Sequence, residues 1–255
     1  AGKHIFPVFI VIFLIFIAYA NLINTFFQQD EWMYFAGDIF YKSKGLAGFI
    51  ESFLPIDALS HVNPLAMVYR WILYVLFGTN FAPYAWLSII HHVINALLLY
   101  YFVFTWLRSR AIALVAALFF GINSISHQAI TWVEAANSYE IPLTFILLSL
   151  LFFHRFVADK TNWRRYLSLS LIALFVSLLF HENGMFLFLF YPVIYFHISD
   201  AERKKKLNFL LRALAICAFA FFLVRAPFFF GLKTSLPVHT DISHPPIYVY
   251  PYRIF

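Results

Sequence analysis

Four stretches of this chain are apolar for longer than a soluble helix has reason to be: Ile5 to Ile23, Tyr84 to Leu107, Ile141 to Val157 and Leu207 to Val224. A run of about 20 apolar residues matches the hydrocarbon thickness of a bilayer, and in hydrocarbon only a helix or a closed barrel satisfies its own backbone. Runs of this apolarity read as membrane helices and not as a soluble core, so the expected fold class is an all-α integral membrane protein. Composition agrees: 63% of residues are hydrophobic, 22% aromatic and 12% charged, with mean hydropathy +0.79. A soluble domain carries roughly twice that charge.

Three shorter runs complete the expectation. Ala111 to Ile122, Tyr166 to Phe180 and Met185 to Ile198 read as spans, for about seven in all. Pro64 to Phe77 is too short for an ordinary span and contains Arg70. It reads, with the amphipathic stretch Trp32 to Phe53, as one of two external juxtamembrane helices within a polar region 24–78. Residues 1–226 form the membrane domain, and 227–255, with Pro227, Pro237, Pro245, Pro246 and Pro251, an extended external segment that packs as a partial lid. Lys3-His4 before an apolar run imitates a signal peptide, but no small-residue cleavage site follows, and the first helix reads as retained.

Charge placement orients the spans. With a cytoplasmic N-terminus and Pro64–Phe77 not crossing, Arg108-Ser109-Arg110, Asp159–Arg165 and Asp200–Lys206 all face the cytoplasm, which puts most of the 18 Lys+Arg there and most of the 12 Asp+Glu outside. The net charge of +6 is therefore a topology signal and not a nucleic-acid footprint. The single Cys217 supports neither a disulfide nor a cysteine metal site.

This topology collects the polar outliers, Glu140 among them, on one face, periplasmic, extracellular or lumenal. Asp30-Glu31 follows the first span directly; acids near hydrocarbon are solvated, paired or used, and they also suit a helix N-terminus. His127-Gln128 with Trp132 and Glu134 fills a loop whose aromatic, amide and carboxylate groups suit sugar binding or an interfacial belt. His181-Glu182-Asn183-Gly184 reads as a turn in which Gly184 supplies a permissive backbone, or as a His–carboxylate pair for a phosphate, a cation or a proton. Arg70 and Arg225 are candidates for a lipid phosphate, with snorkelling as the plain alternative. His91-His92 and Asn95 lie within a span, where one histidine is expected to hydrogen-bond between helices. The histidines show no diagnostic metal spacing; Asp30 and Glu31 could offer oxygens to a divalent Mg or Mn ion.

In this order the features resemble the GT-C superfamily of polyprenyl-phosphate-sugar-dependent glycosyltransferases. The likeness is to the O-mannosyltransferase-like membrane domains that often precede TPR repeats, and more loosely to protein O-mannosyltransferases and aminoarabinose transferases. It rests on Asp30-Glu31 after the first span, Asn63-Pro64 to Phe77-Gly78, the run His91-His92-Val93-Ile94-Asn95-Ala96-Leu97-Leu98-Leu99, the loop His127-Gln128-Ala129-Ile130-Thr131-Trp132 and the turn His181-Glu182. It implies inverting sugar transfer from a polyprenyl-phosphate carrier, with Asp30 as base, Glu31 orienting the acceptor or a metal, and Arg70, His127, Gln128, Trp132, Glu134, His181 and Glu182 on the substrate side. The expected partners are the lipid-linked sugar, membrane lipids and other subunits of a membrane complex. Gln128 stands where the family pattern has Glu, Ala136-Asn137 where it has Arg, and His181 where it has Lys. The family's further spans and C-terminal domain do not follow Phe255. These departures leave open a fragment, or a non-catalytic membrane subunit or scaffold derived from such an enzyme. A transporter is the weaker reading, because its polar groups belong near the midplane.

Overall fold

The computed structural model describes residues 4–28, 31–51, 63–123, 127–198 and 203–229, and among these it is all helical. Helix α1 (Ile5–Tyr19) continues as a 3-10 turn over Ala20–Asn24. Three short helices follow: α2 (Glu31–Ser43), α3 (Gly45–Glu51) and α4 (Pro64–Phe77). The expected single amphipathic helix from Trp32 is thus broken in two at Gly45, whose φ of 60° is a left-handed conformation that glycine adopts without a Cβ penalty. That makes three short helices where two were expected.

The long helix α5 (Phe81–Leu107) is capped by Asn80, which accepts from the Ala82 N–H at 3.4 Å. It ends at Arg108 in the left-handed region, and α6 (Arg110–Ile122) returns alongside it. Short α7 (Gln128–Thr131) and α8 (Val133–Ala135) lead through a π-helical turn, Ala136–Glu140, into α9 (Ile141–Ala158). Helix α10 (Trp163–Phe180) pairs with α9; a 3-10 turn (Glu182–Phe186) then leads to α11 (Leu187–Ile198) and α12 (Arg203–Phe229). Helix α12 runs three residues past the expected domain boundary at 226; from residue 230 the expected lid lies outside the described residues.

Among the described residues, five helical segments, not seven, are long and apolar enough to cross a membrane: Ile5–Asn24, Phe81–Leu107, Val133–Ala158, Trp163–Phe180 and Lys206–Ala226. The two expected spans that fall out are α6, with 13 residues, and α11, with 12. At 1.5 Å per residue each is about 20 Å long, short of the ~30 Å of hydrocarbon. The third long segment begins earlier than expected, at Val133, because the helical path continues through the π turn. Large apolar side chains such as Phe6, Phe9, Phe119, Leu189, Ile216 and Phe219 stand more than half exposed, a surface suited to lipid and not to water.

The apolar interior has two main parts. One joins α1, α4, α5 and α6 around Val11, Ile15, Ile89, Ala96 and Ala117. The other joins α9 to α12 around Phe153, Leu174, Leu187, Tyr191 and Leu210. Within the second, Ser149 on α9 and Ser170 on α10 exchange hydrogen bonds, each hydroxyl donating to the other's carbonyl at 2.6 and 2.9 Å, and both meet the Tyr191 hydroxyl. Small hydroxyl residues let two helices approach and pair polar groups in a medium that offers no water. Between the two parts lies a polar seam: His92 and Asn95 of α5 face Glu140 and Thr144.

Rings show which helix ends share a side. Tyr69 of α4 faces Phe180 at the end of α10 at 6.4 Å, and Trp106 at the end of α5 faces His154 near the end of α9 at 5.3 Å. The starts of α5 and α9 and the end of α10 therefore gather at α2–α4, and the α5–α6 and α9–α10 turns gather at the opposite end.

Candidate functional site

The α2–α4 end holds the expected acidic motif. Gln29 and Asp30, the proposed base, lie outside the described residues; Glu31 is placed and is 4% exposed. Its carboxylate reaches back to the Gln28 N–H, as the acidic half of a capping box does. Its Oε1 also accepts from the Val133 N–H at 2.6 Å and the Glu134 N–H at 3.3 Å. The first N–H groups of a helix have no partner inside it and carry a partial positive charge, so an acid suits that place. Glu31 thus caps the start of α2 and the start of α8 with one carboxylate. Burial pushes this carboxyl up to about 7; the three amide hydrogen bonds act against the rise and nearby Glu134 adds to it.

Glu134 lies beside this cap and pairs with Arg70 of α4 at 3.6 Å. Arg70 is buried, at 8% exposure, within an apolar helix, so its charge sits at the end of the bundle and does not snorkel freely into solvent. Three of the expected residues, Glu31, Arg70 and Glu134, therefore meet where α2, α4 and α8 join. Trp132 caps the start of α8 with extended backbone, and its indole N–H has no acceptor among the described residues. His127 and Gln128 stand exposed on α7, where the His127 carbonyl accepts from the Ile130 and Thr131 amides at 2.9 Å.

His181 and Glu182 form a neighbouring group. The His181 N–H closes α10 on the Ser177 carbonyl at 2.8 Å, and its ring packs against Tyr139 of the π turn with centroids 5.3 Å apart. Its Nδ1 lies 4.0 Å from a Glu182 oxygen, an ion-pair distance longer than a hydrogen bond. Tyr139 and the Tyr69–Phe180 contact link this group to the Arg70 group. Burial pushes the Tyr69 hydroxyl up to about 12, so it stays a proton donor near neutral pH.

Gly184 is required for a reason other than the one expected. Its backbone is not left-handed; instead a Cβ there would meet Ser177 Oγ at 2.6 Å and Leu174 Cδ1 at 3.2 Å. The turn lies directly against α10, and space decides the residue.

No cluster of three His, Cys, Asp or Glu suited to a metal occurs among the described residues. Both Glu31 oxygens accept N–H donors, and Asp30, the other acid expected to offer oxygens to a divalent Mg or Mn ion, lies outside the described residues.

His92, Asn95 and Glu140 are 1%, 0% and 3% exposed, and the histidine expected to hydrogen-bond between helices is His92. Glu140 was expected on the surface with the other acids. The available signal was the spacing of His92 and Asn95, three apart on one helix face; their partner 45 or more residues away left no mark in the sequence. Compared with family models, curated proteins and solved structures, the chain matches none.

Proposed function

We propose that this chain transfers a sugar from a polyprenyl-phosphate carrier to an acceptor hydroxyl, with inversion, at the α2–α4 end of the bundle. One observation carries this reading: a buried arginine, Arg70, is held by Glu134 beside the helix that begins next to Asp30. Transfer needs a base for the acceptor hydroxyl and positive charge for the departing phosphate. Asp30 serves as the base. Arg70 supplies the guanidinium charge for the carrier phosphate, with His181 and Glu182 toward the same side. Trp132, His127 and Gln128 supply a ring face, an imidazole and an amide for the sugar. The motif order from Asp30-Glu31 to His181-Glu182 supports the same assignment. The active face is external to the cytoplasm, by the distribution of lysine and arginine.

A second reading has its own support. The Glu31 carboxylate is consumed by three backbone amides, which is the work of a structural cap. A non-catalytic membrane subunit that retains this architecture would keep that cap without needing Asp30. The experiment is sugar transfer by the purified protein from a polyprenyl-phosphate sugar into a hydroxyl acceptor. Asp30→Asn is expected to lower turnover by roughly 10²–10⁴, the usual size of a general-base effect, while insertion and melting stay unchanged. Equal transfer by both proteins removes Asp30 from the mechanism, and no transfer by the unsubstituted protein with any donor favours the subunit.

A further inference from the structure

The polar seam between the two halves of the bundle contains a pair of titratable groups that the proposed transfer does not use. His92 of α5 is held at both ring nitrogens. Its Nε2 lies 3.1 Å from the carbonyl oxygen of Gly121, and its Nδ1 lies 3.0 Å from Glu140 Oε1. Both groups are within segments long and apolar enough to cross a membrane. The Gly121 carbonyl is available because α6 ends at Ile122, and the last four carbonyls of a helix have no partner inside it.

Hydrogen-bond accounting limits the protonation of this pair. A carbonyl oxygen only accepts, so the Gly121 contact is a hydrogen bond only if Nε2 carries a proton. The contact between Nδ1 and Oε1 then needs a second proton. That proton sits on the ring, giving an imidazolium beside a carboxylate, or on the carboxyl, which donates to a neutral ring. The two descriptions contain the same atoms and the same net charge of zero. A neutral imidazole beside an ionised carboxylate has one proton fewer. If its single ring proton is on Nδ1, the Nε2 lone pair opposes the Gly121 carbonyl; if it is on Nε2, the Nδ1 lone pair opposes the carboxylate.

Charge gives an independent argument. The pair without the extra proton carries one negative charge in the interior, where an uncompensated charge is costly. Its other partners are neutral dipoles. Asn95 Nδ2 donates to Glu140 Oε2 at 2.6 Å and to the Glu140 carbonyl at 2.7 Å, and Asn95 Oδ1 accepts from Thr144 at 2.7 Å. From α1 the titratable neighbour is Tyr19, whose ring meets that of His92 edge-on with centroids 5.7 Å apart; α6 contributes the stacked Phe120 ring and the Gly121 carbonyl. The titratable neighbours on the pair's own elements are His91, which bonds the Leu87 carbonyl at 2.8 Å, and Tyr139, which packs on His181. None of these brings a positive charge to Glu140, whose ion-pair partner among the described residues is His92.

We propose that His92 and Glu140 form a proton-binding site inside the bundle, which takes up one proton beyond a neutral imidazole and an ionised carboxylate and holds it between Nδ1 and Oε1. The reaction is the neutral His92 ring plus the Glu140 carboxylate plus H⁺, giving the net-neutral pair; no other bond changes. The bound proton lets the single His92 ring bond both the end of α6 and the π turn before α9, which a neutral ring beside a carboxylate does not do. The π turn places Glu140 there, and short π segments recur at functional sites. Adjacent to the pair, Ser88 and His91 of α5, Tyr69 of α4 and Asn137 of the π turn line a cavity of about 10 Å³. That is about the size of one water molecule, and Asn137 Nδ2, with no acceptor among the described residues, is there to bond it. This inference does not depend on the transferase reading.

The test is nitrogen-15 NMR of the histidine side chains in the full chain, reconstituted in lipid nanodiscs at about pH 7, where a free histidine is mostly neutral. Loss of a signal in His92→Gln assigns the ring. The expected spectrum has Nε2 protonated and a hydrogen-bonded proton at Nδ1 shared with oxygen. Glu140→Gln mimics the neutral, protonated carboxyl in shape; it should keep the Nε2 proton and lose the shared one. A His92 ring with no proton shared at Nδ1, an unprotonated Nε2, or a ring spectrum identical in Glu140→Gln overturns the proposal. If Glu140→Gln does not fold, the protonation of Nε2 and Nδ1 in the unsubstituted protein decides alone.

Discussion

Glu31 and Val133 are 102 positions apart and joined by a 2.6 Å hydrogen bond from the Val133 amide to the Glu31 carboxylate. One side chain thereby ties α2 to the start of the third segment that is long and apolar enough to cross a membrane. The same carboxylate serves Gln28 and Glu134, so three backbone donors depend on it. Glu31→Ala strands those donors, and each buried unpaired donor costs about 1–3 kcal/mol. The expected loss exceeds about 2 kcal/mol, seen as a lowered Tm in detergent, and Glu31→Gln loses less because one amide oxygen can still accept from α8.

The pH dependence of this cap has a defined sign. The carboxyl is raised to about 7 in the folded protein from a reference of 4.5, chiefly by burial. Between those values the folded chain holds a proton that the unfolded chain has released. Stability from this group is therefore fully present below 4.5, falls as pH rises toward about 7, and is level above it. Melting of the unsubstituted protein and of Glu31→Gln across this window isolates the effect: their difference should change up to about pH 7 and then stay constant. A difference that is constant throughout refutes it.

Gly121 is pressed against α1. A Cβ there would lie 2.8 Å from Ile15 Cδ1 and 2.9 Å from Cγ1, while its carbonyl holds His92. Overpacking of this kind costs about 1–3 kcal/mol. Gly121→Ala is expected to lower Tm, and Ile15→Ala added to it should restore part of the loss, because the two positions share one space. Additive effects of the two changes would show that the close approach is not what destabilises.

Gly184 and Ser177 make a second such contact, at 2.6 Å for a built Cβ. Ser177 Oγ is buried and has no hydrogen-bond partner among the described residues, so removing it strands nothing. Ser177→Ala alone should leave Tm unchanged or raise it slightly, Gly184→Ala should lower it, and the double variant should recover most of the loss. Thermal melts of the four proteins check all three expectations.

The ring contacts place the turn at Ser109 and the turn at Asn183 at opposite ends of the bundle. With the buried Cys217 replaced by alanine, a cysteine at Ser109 should react with an impermeant thiol reagent from the cytoplasmic side and one at Asn183 from the other. Labelling of both from one side would overturn the orientation.

The sequence by itself determined that the chain is helical and apolar enough for a membrane, because a run of about 20 apolar residues has few other stable states. Helix ends were also legible where their signal is local, as at Pro64 and at Ile141, which Pro142 follows at the start of α9. The spans at Ala111–Ile122 and Met185–Ile198 were misjudged because apolarity does not state where a helix stops, and the third segment's early start at Val133 depends on a π turn that Glu140 and Asn95 hold together. Only the tertiary structure decided what the polar residues do. Glu31 looked like half of an acidic pair and is a cap on a distant helix; Glu140 looked like a surface acid and is the buried partner of His92. A hydrogen bond needs two groups within about 3 Å, and when they come from helices 45 or 102 positions apart, only the packing of the apolar surfaces between them brings that distance about.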